Sequence, residues 1–260
     1  MSRTEQTLKE NKQNGGSLIG YFPLGFPNLA DSVEAAVAMC EAGVDVLELG
    51  IPYSDPVMDG IVIQEATEAA LESGFKLKDA FAAIREITSR VQAPVLVMTY
   101  WNPVMQFGEE RFANALAEAG AAGAITPDLI PDEAASWIRA TDAKGLDRVF
   151  LATPTSTGSR TQQACSSSKG FVYAVSTMGI TGARDDLDTV ARNVVAEVRT
   201  QSPSSFTAVG IGVSTAAQVK EINGYADGAI VGSAFVKAFQ QGGIEALRAK
   251  VSELAEGKKK

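Results

Sequence analysis

The chain contains no histidine. That excludes Ser-His-Asp and Cys-His nucleophile systems and every metal site built on imidazole. Acid–base chemistry is left to carboxylates, Lys, Tyr or Cys. Cysteine is nearly as scarce: Cys40 and Cys165 stand far apart and form no Cys-x-x-Cys, which points away from a disulfide scaffold and towards a reducing compartment. Cys40 falls in an apolar helical pattern and reads as a small core residue, whereas Cys165 lies in a polar, Ser-rich stretch. Positive charge is also short, with 23 Lys and Arg against 31 Asp and Glu, a net charge of −8 and no basic stripe. Nucleic acid is therefore not an expected partner. No apolar run reaches the ~18–20 residues of a bilayer span, and Met1 to Gly15 is polar, without the apolar stretch of a secretion signal. A cytoplasmic protein with no membrane partner is expected.

What is present is ordinary globular composition, 45% hydrophobic and 21% charged, arranged in a repeating pattern. Short apolar runs begin at Ser17, Asp45, Pro94, Gly123, Arg148, Phe171, Phe206 and Asp227. They end at Phe22, Gly50, Tyr100, Thr126, Thr153, Ser176, Gly210 and Gly232. Each is bounded by Gly, Pro or Asp and nearly continuous in apolar character, as parallel strands buried on both faces require. Helix-period segments alternate with them: Asp31 to Glu41, Lys78 to Ser89, Glu109 to Ala119, Asp132 to Ala140, Thr161 to Ser167, Asp186 to Thr200, Ser214 to Ile222 and Ile244 to Glu256. Ser214 with Gln218 suggests a capping box with the glutamine one place late, and Pro131 precedes an acidic first turn. Gly120, Gly145 and Gly224 fall at helix ends, where a left-handed residue is wanted.

Eight strand–helix pairs in one chain of this length predict a (β/α)8 TIM barrel over residues 1–260 as a single domain. Residues 3–14 add an N-terminal helix, and 62–73 an extra helix after the second strand. An open doubly wound sheet is the alternative, but no Gly-x-Gly-x-x-Gly opens a first helix.

In such a barrel the carboxyl ends of the strands form the active face, and three features gather there. Glycines recur in Met178 to Ala183, Gly210 to Ser214 and Val231 to Ala234, where backbone N–H groups and helix starts at Ser214 and Ser233 suit a phosphate. Read more simply, they are tight βα turns. Glu48 sits inside an apolar strand, and alternation puts it opposite Leu47 and Leu49, towards the barrel mouth. Burial there would raise its pKa; a structural ion pair is the competing reading. Asp55 and Asp59 follow in a loop whose Asp-Pro and Asp-Gly pairs are also common turn chemistry.

The run Glu48-Leu-Gly-Ile-Pro-Tyr-Ser-Asp-Pro-Val-Met-Asp-Gly60 resembles the signature of the tryptophan synthase alpha subunit family. Phe171-Val-Tyr-Ala-Val-Ser-Thr-Met-Gly-Ile-Thr-Gly-Ala183, Gly210-Ile-Gly-Val-Ser214 and Ile230-Val-Gly-Ser-Ala-Phe-Val-Lys237 resemble it too. Gly20 to Pro27 and Met98 to Pro103 resemble the variants of high-GC Gram-positive bacteria. The resemblance implies retro-aldol cleavage of indole-3-glycerol phosphate to indole and glyceraldehyde 3-phosphate. Within it, Glu48 matches the general acid–base and Asp59 the carboxylate that steadies the indole N–H. Tyr173 matches the tyrosine beside the glutamate, and Thr181 the loop threonine that meets Asp59. Gly182, Gly212, Gly232 and Ser233 match the phosphate cradle. Tyr21 and Tyr100 fall at indole-pocket positions, with barrel packing as the simpler reading of both.

The resemblance further implies no cofactor in this chain and a pyridoxal-phosphate beta subunit as partner in an alpha2beta2 heterotetramer. Pro52, Asp55 and the loop 176–190 would couple the two sites allosterically. The chain departs from the family pattern at Ile61, where most members have proline, while Gln64 still matches. It departs again at Asp128-Leu-Ile-Pro131, one residue longer than the commoner form. A free-standing lyase, a ligand-binding regulatory subunit and a neighbouring phosphate-barrel reaction are the other readings; the last is disfavoured because no strand run carries a lysine.

Overall fold

The computed structural model describes residues 1–175, 184–210 and 212–258, with the backbone alone for 184–187. The apolar runs become short parallel strands: β1 Ser17–Pro23, β2 Val46–Gly50, β3 Val95–Met98, β4 Gly123–Ile125, β5 Asp147–Val149, β6 Leu151–Ala152, β7 Val172–Val175, β8 Thr207–Gly210 and β9 Gly228–Val231. They hydrogen-bond in the order β5-β4-β3-β2-β1-β9-β8-β7-β6. The strand expected over 148–153 is thus two pieces, and the reason is local. The Phe150 N–H bonds to the Ser168 hydroxyl at 3.1 Å instead of continuing the ladder on β4, while its carbonyl accepts the Tyr173 N–H at 3.0 Å. Since β5 and β6 are consecutive, the chain itself joins the two ends of the sheet and the TIM barrel closes.

Alternation along the strands sorts their side chains into two cores. Leu47 and Leu49 face outward into the large cluster beneath the helices. Ile19, Val46, Leu96, Ile125, Val149, Phe171, Ala208 and Ile230 fill the barrel interior, as the two-residue period demands. The interior is plugged below by Leu8 of helix α1 (Arg3–Lys12). A capping box between Ser2 and Glu5 starts that helix. It is tied to the barrel floor by the Ser2 hydroxyl on Asp147 (2.9 Å) and Lys12 on Asp227 (2.6 Å). With the floor packed shut, only the upper end is open to a ligand.

The helices follow as α2 Leu29–Ala42, α3 Ile61–Glu72, α4 Leu77–Arg90, α5 Trp101–Phe107, α6 Glu109–Glu118, α7 Ala135–Ala143, α8 Gly158–Ser167, α9 Arg184–Gln201, α10 Ala216–Asn223 and α11 Ser233–Ala255. Both additions appear, α1 before β1 and α3 after β2. Helix α5 was not expected from the periodicity; at seven residues it is too short to show one. The acidic turn after Pro131 is a 3-10 turn over Pro131–Glu133, and α7 begins only at Ala135. Helix α11 bends at Gly242 and Gly243, so its first half lies outside the segment expected from Ile244. Thr215, not Ser214, caps α10, which brings Gln218 to its proper third position. Gly120 and Gly145 take the left-handed conformation, but Gly224 is right-handed at φ −69°. Cys165 is buried despite its polar neighbours, whereas Cys40 is only half-buried, and both are free thiols. Among the described residues no helix is long and apolar enough to cross a membrane.

Candidate active site

At the open end, a cavity of about 220 Å³ is lined by Tyr21, Glu48, Met58, Asp59, Gly60, Ile63, Met98, Tyr173, Gly210, Gly212, Val213, Ile230, Gly232 and Ser233. Seven of the residues singled out from sequence meet there: Tyr21, Glu48, Asp59, Tyr173, Gly212, Gly232 and Ser233.

Strand geometry delivers the first carboxylate. Glu48 lies two residues beyond Val46 on the inward face of β2, in register with Tyr21 of β1 and Leu96 of β3. It is 1% exposed, and one carboxyl oxygen, Oε2, has no hydrogen-bond partner among the described residues. Among the described residues no cation offsets this burial, which disfavours the structural ion-pair reading. Burial, and then the charge of Asp59, push its pKa up to about 8. The group is a carboxylic acid at neutrality, with an unsatisfied oxygen in a cavity.

Asp59 comes from the loop between β2 and α3. Its backbone N–H closes a turn on the Pro56 carbonyl at 3.1 Å, and its own carbonyl accepts the Gln64 side-chain amide at 2.7 Å. Burial lifts its pKa to about 6, opposed by a hydrogen bond from Tyr100. The two carboxyls are therefore separated in acidity: near pH 7 Asp59 is mostly an anion while Glu48 keeps its proton.

The opposite wall is backbone. Gly212 holds φ +72°, a conformation that disfavours any side chain. Gly232 and Ser233 open α11, whose hydrogen-bond ladder begins with Phe235 and Val236 donating to the Gly232 carbonyl. The first N–H groups of that helix are left free to meet an anion. No Lys or Arg stands among the described lining residues, so an anion there is met by amide dipoles.

The tyrosines owe their positions to glycines whose part the sequence did not announce. A methyl group on Gly210 would lie 2.6 Å from the Tyr173 hydroxyl, and one on Gly50 2.1 Å from that of Tyr21. The available signal was the two-residue period, which sets Gly50 on the same face as Glu48. The apolar lining of Met58, Ile63, Met98, Val213 and Ile230 was also missed. Tyr100 does not line the cavity; it reaches the site through Asp59. Pro52 is buried and Asp55 exposed beside the Ser54 hydroxyl (2.6 Å), and neither enters the cavity. Thr181 and Gly182 lie outside the described residues, as does most of the loop 176–190. Among the described residues no group of three or more His, Cys, Asp or Glu is placed to hold a metal ion.

A closed parallel barrel with two carboxyls of separated acidity at its carboxyl-end mouth defines the class: a (β/α)8-barrel enzyme of general acid–base chemistry. Comparison with known proteins narrows this. The model of the family described as tryptophan synthase alpha chain matches residues 7–260, and the chain belongs to that family of lyase subunits. A tryptophan synthase alpha chain from Leifsonia xyli subsp. xyli is 61% identical over 258 residues, covering 99% of this chain and 98% of that one. One from Mycobacterium avium is 52% identical over 241 residues, 93% and 88% of the two chains. The structure of Mycobacterium tuberculosis tryptophan synthase in space group F222 superposes with a TM-score of 0.94 at 46% identity, covering 100% of this chain and 99% of that one. The tryptophan synthase A-subunit of Pyrococcus furiosus gives 0.84 at 33% identity, with 93% and 98% covered.

Proposed function

We propose that the cavity binds indole-3-glycerol phosphate and splits the bond between indole C3 and the glycerol chain, releasing indole and glyceraldehyde 3-phosphate for tryptophan biosynthesis. The observation that carries the reading is the protonated, unpartnered Glu48 in the same cavity as an ionised Asp59.

Glu48 donates its proton to indole C3, which makes the ring an electron-poor indoleninium. Asp59 accepts the ring N–H and stabilises the positive charge that grows there. The Glu48 carboxylate then removes the proton of the hydroxyl on the adjacent glycerol carbon. The O–H electrons become the aldehyde C=O, and the C3–carbon bond breaks with its pair returning to the ring. Glu48 ends protonated again, and no redox change occurs. The substrate's own ring is the electron sink, so the reaction asks for no cofactor in this chain. Tyr21 and Tyr173 flank the ring, and Gly212, Gly232 and Ser233 hold the phosphate with Gly182. Thr181 meets Asp59 when the loops close.

In this reading the chain works in the cytoplasm as the alpha half of an alpha2beta2 complex. Pyridoxal phosphate resides in the beta subunit that consumes the indole, and Pro52 and Asp55 belong to the contact. Incubating the chain with indole-3-glycerol phosphate, alone and with a beta subunit, should yield indole in both cases and faster in the second. Glu48→Gln should lower turnover by at least ~10³-fold while leaving binding of glycerol 3-phosphate intact; near-normal turnover would remove Glu48 from the mechanism.

A further inference from the structure

Asp59 carries its charge on a loop with little support of its own. From Pro52 to Gly60 the backbone-to-backbone hydrogen bonds are only local turns, such as Val57 N–H on the Asp55 carbonyl at 3.0 Å, and Val57 is 75% exposed. A carboxyl that must meet one ring N–H needs firmer placement than that. Tyr100, the N-cap residue of α5, is 4% exposed and reaches into this loop from the end of β3. Its phenol oxygen accepts the Met58 N–H at 3.0 Å, and the hydroxyl stands beside the Asp59 carboxyl, whose charged form it favours. A phenol has one proton and two lone pairs, so while it accepts from the loop backbone its proton is left for the neighbouring carboxylate.

Tyr100 is itself anchored. Its ring packs on Tyr53 with centroids 5.4 Å apart, and the Tyr53 hydroxyl accepts from the Asn102 side chain at 3.2 Å. The next residue, Trp101, donates its N–H to both Asp128 oxygens at 2.9 and 3.0 Å. The loops after β2, β3 and β4 are thus tied together around Tyr100.

We infer that Tyr100 is a positioning residue for Asp59: it fixes the loop by accepting the Met58 N–H, holds the carboxylate by donating to it, and does not touch the substrate. This rests on the reading of Asp59 given above. The donated bond favours the charged form of Asp59 against its burial. The other titratable groups acting with Asp59, among the described residues, are Glu48 on β2, Tyr21 on β1 and Tyr173 on β7, none of them a cation.

Tyr100→Phe keeps the ring packing and removes only the hydroxyl. It is to be compared with wild type, Asp59→Asn and the double variant in steady-state indole formation. A ¹³C NMR titration of the Asp59 carboxyl accompanies the kinetics. The expected result is a kcat lowered roughly 10-fold or more, with KM within about twofold. The Asp59 midpoint should rise by about one unit, and the double variant should be no slower than Asp59→Asn alone. An unmoved Asp59 midpoint, or losses that multiply in the double variant, overturns the inference. A wild-type chain that makes no indole, with the midpoint still displaced in Tyr100→Phe, sinks the proposed reaction and leaves the positioning role standing.

Discussion

Tyr21 and Gly50 share one space at the barrel mouth: a methyl group on Gly50 would lie 2.1 Å from the Tyr21 hydroxyl oxygen and 2.6 Å from the carbon bearing it. Tyr21 stands in register with Glu48 on the neighbouring strand, and Gly50 is two residues beyond Glu48. The absent side chain is what lets the phenol lie over the acid. Gly50→Ala should therefore displace the ring and cost about 1–3 kcal/mol in urea unfolding, with indole formation falling with it. Adding Tyr21→Ala should recover part of the stability. Full stability in Gly50→Ala alone would mean that the ring has room elsewhere.

The separated acidities predict a bell-shaped pH dependence. Asp59 must be ionised, so activity should fall as pH drops through about 6. Glu48 must carry a proton at the first step, so activity should also fall as pH rises through about 8. The two limbs belong to the interacting pair, not to either residue separately. A kcat/KM profile from pH 5 to 10 tests this, and a plateau extending above pH 9 would contradict a neutral Glu48.

Glu48 also links stability to pH. Unfolded, it ionises near 4.5, but in the barrel near 8. Between those values the folded state holds a proton that the unfolded state has released, so stability declines as pH rises through this window. Glu48→Gln abolishes that slope. The variant should match wild type below pH 4.5 and exceed it by a few kcal/mol at pH 8, as read from urea midpoints at both. Equal midpoints at pH 8 would mean that Glu48 is not buried as described.

Ile61 opens α3 behind the N-cap Gly60, which has φ −73° and ψ 160°. That backbone suits a residue preceding proline, and the first helical position needs no N–H. At 63% exposure the isoleucine packs little. Ile61→Pro should raise stability by about 0.4–1 kcal/mol, measurable as a higher Tm. A lower Tm would show that the isoleucine N–H or side chain supports the start of α3.

Much of this molecule follows from local rules. A two-residue period with both faces apolar forces buried parallel strands, and a repeat of strand and helix leaves few topologies besides a barrel. The same period turns Glu48 inward because Leu47 and Leu49 must face the helices. Short or irregular pieces were not legible. Helix α5 spans only seven residues, and the break at Phe150 depends on the Ser168 hydroxyl, a partner 18 residues away.

What the amino-acid order determined alone was the barrel, the inward face carrying Glu48, the glycine turns on the mouth and the want of any histidine to share the chemistry. Tertiary structure decided the rest, because acidity and position at the mouth come from groups distant along the chain. Burial among strands from both halves of the barrel makes Glu48 an acid, and a tyrosine 41 residues beyond Asp59 in sequence holds that carboxylate in reach of a ligand. Such effects fall off within a few ångströms through space and have no signature in sequence spacing.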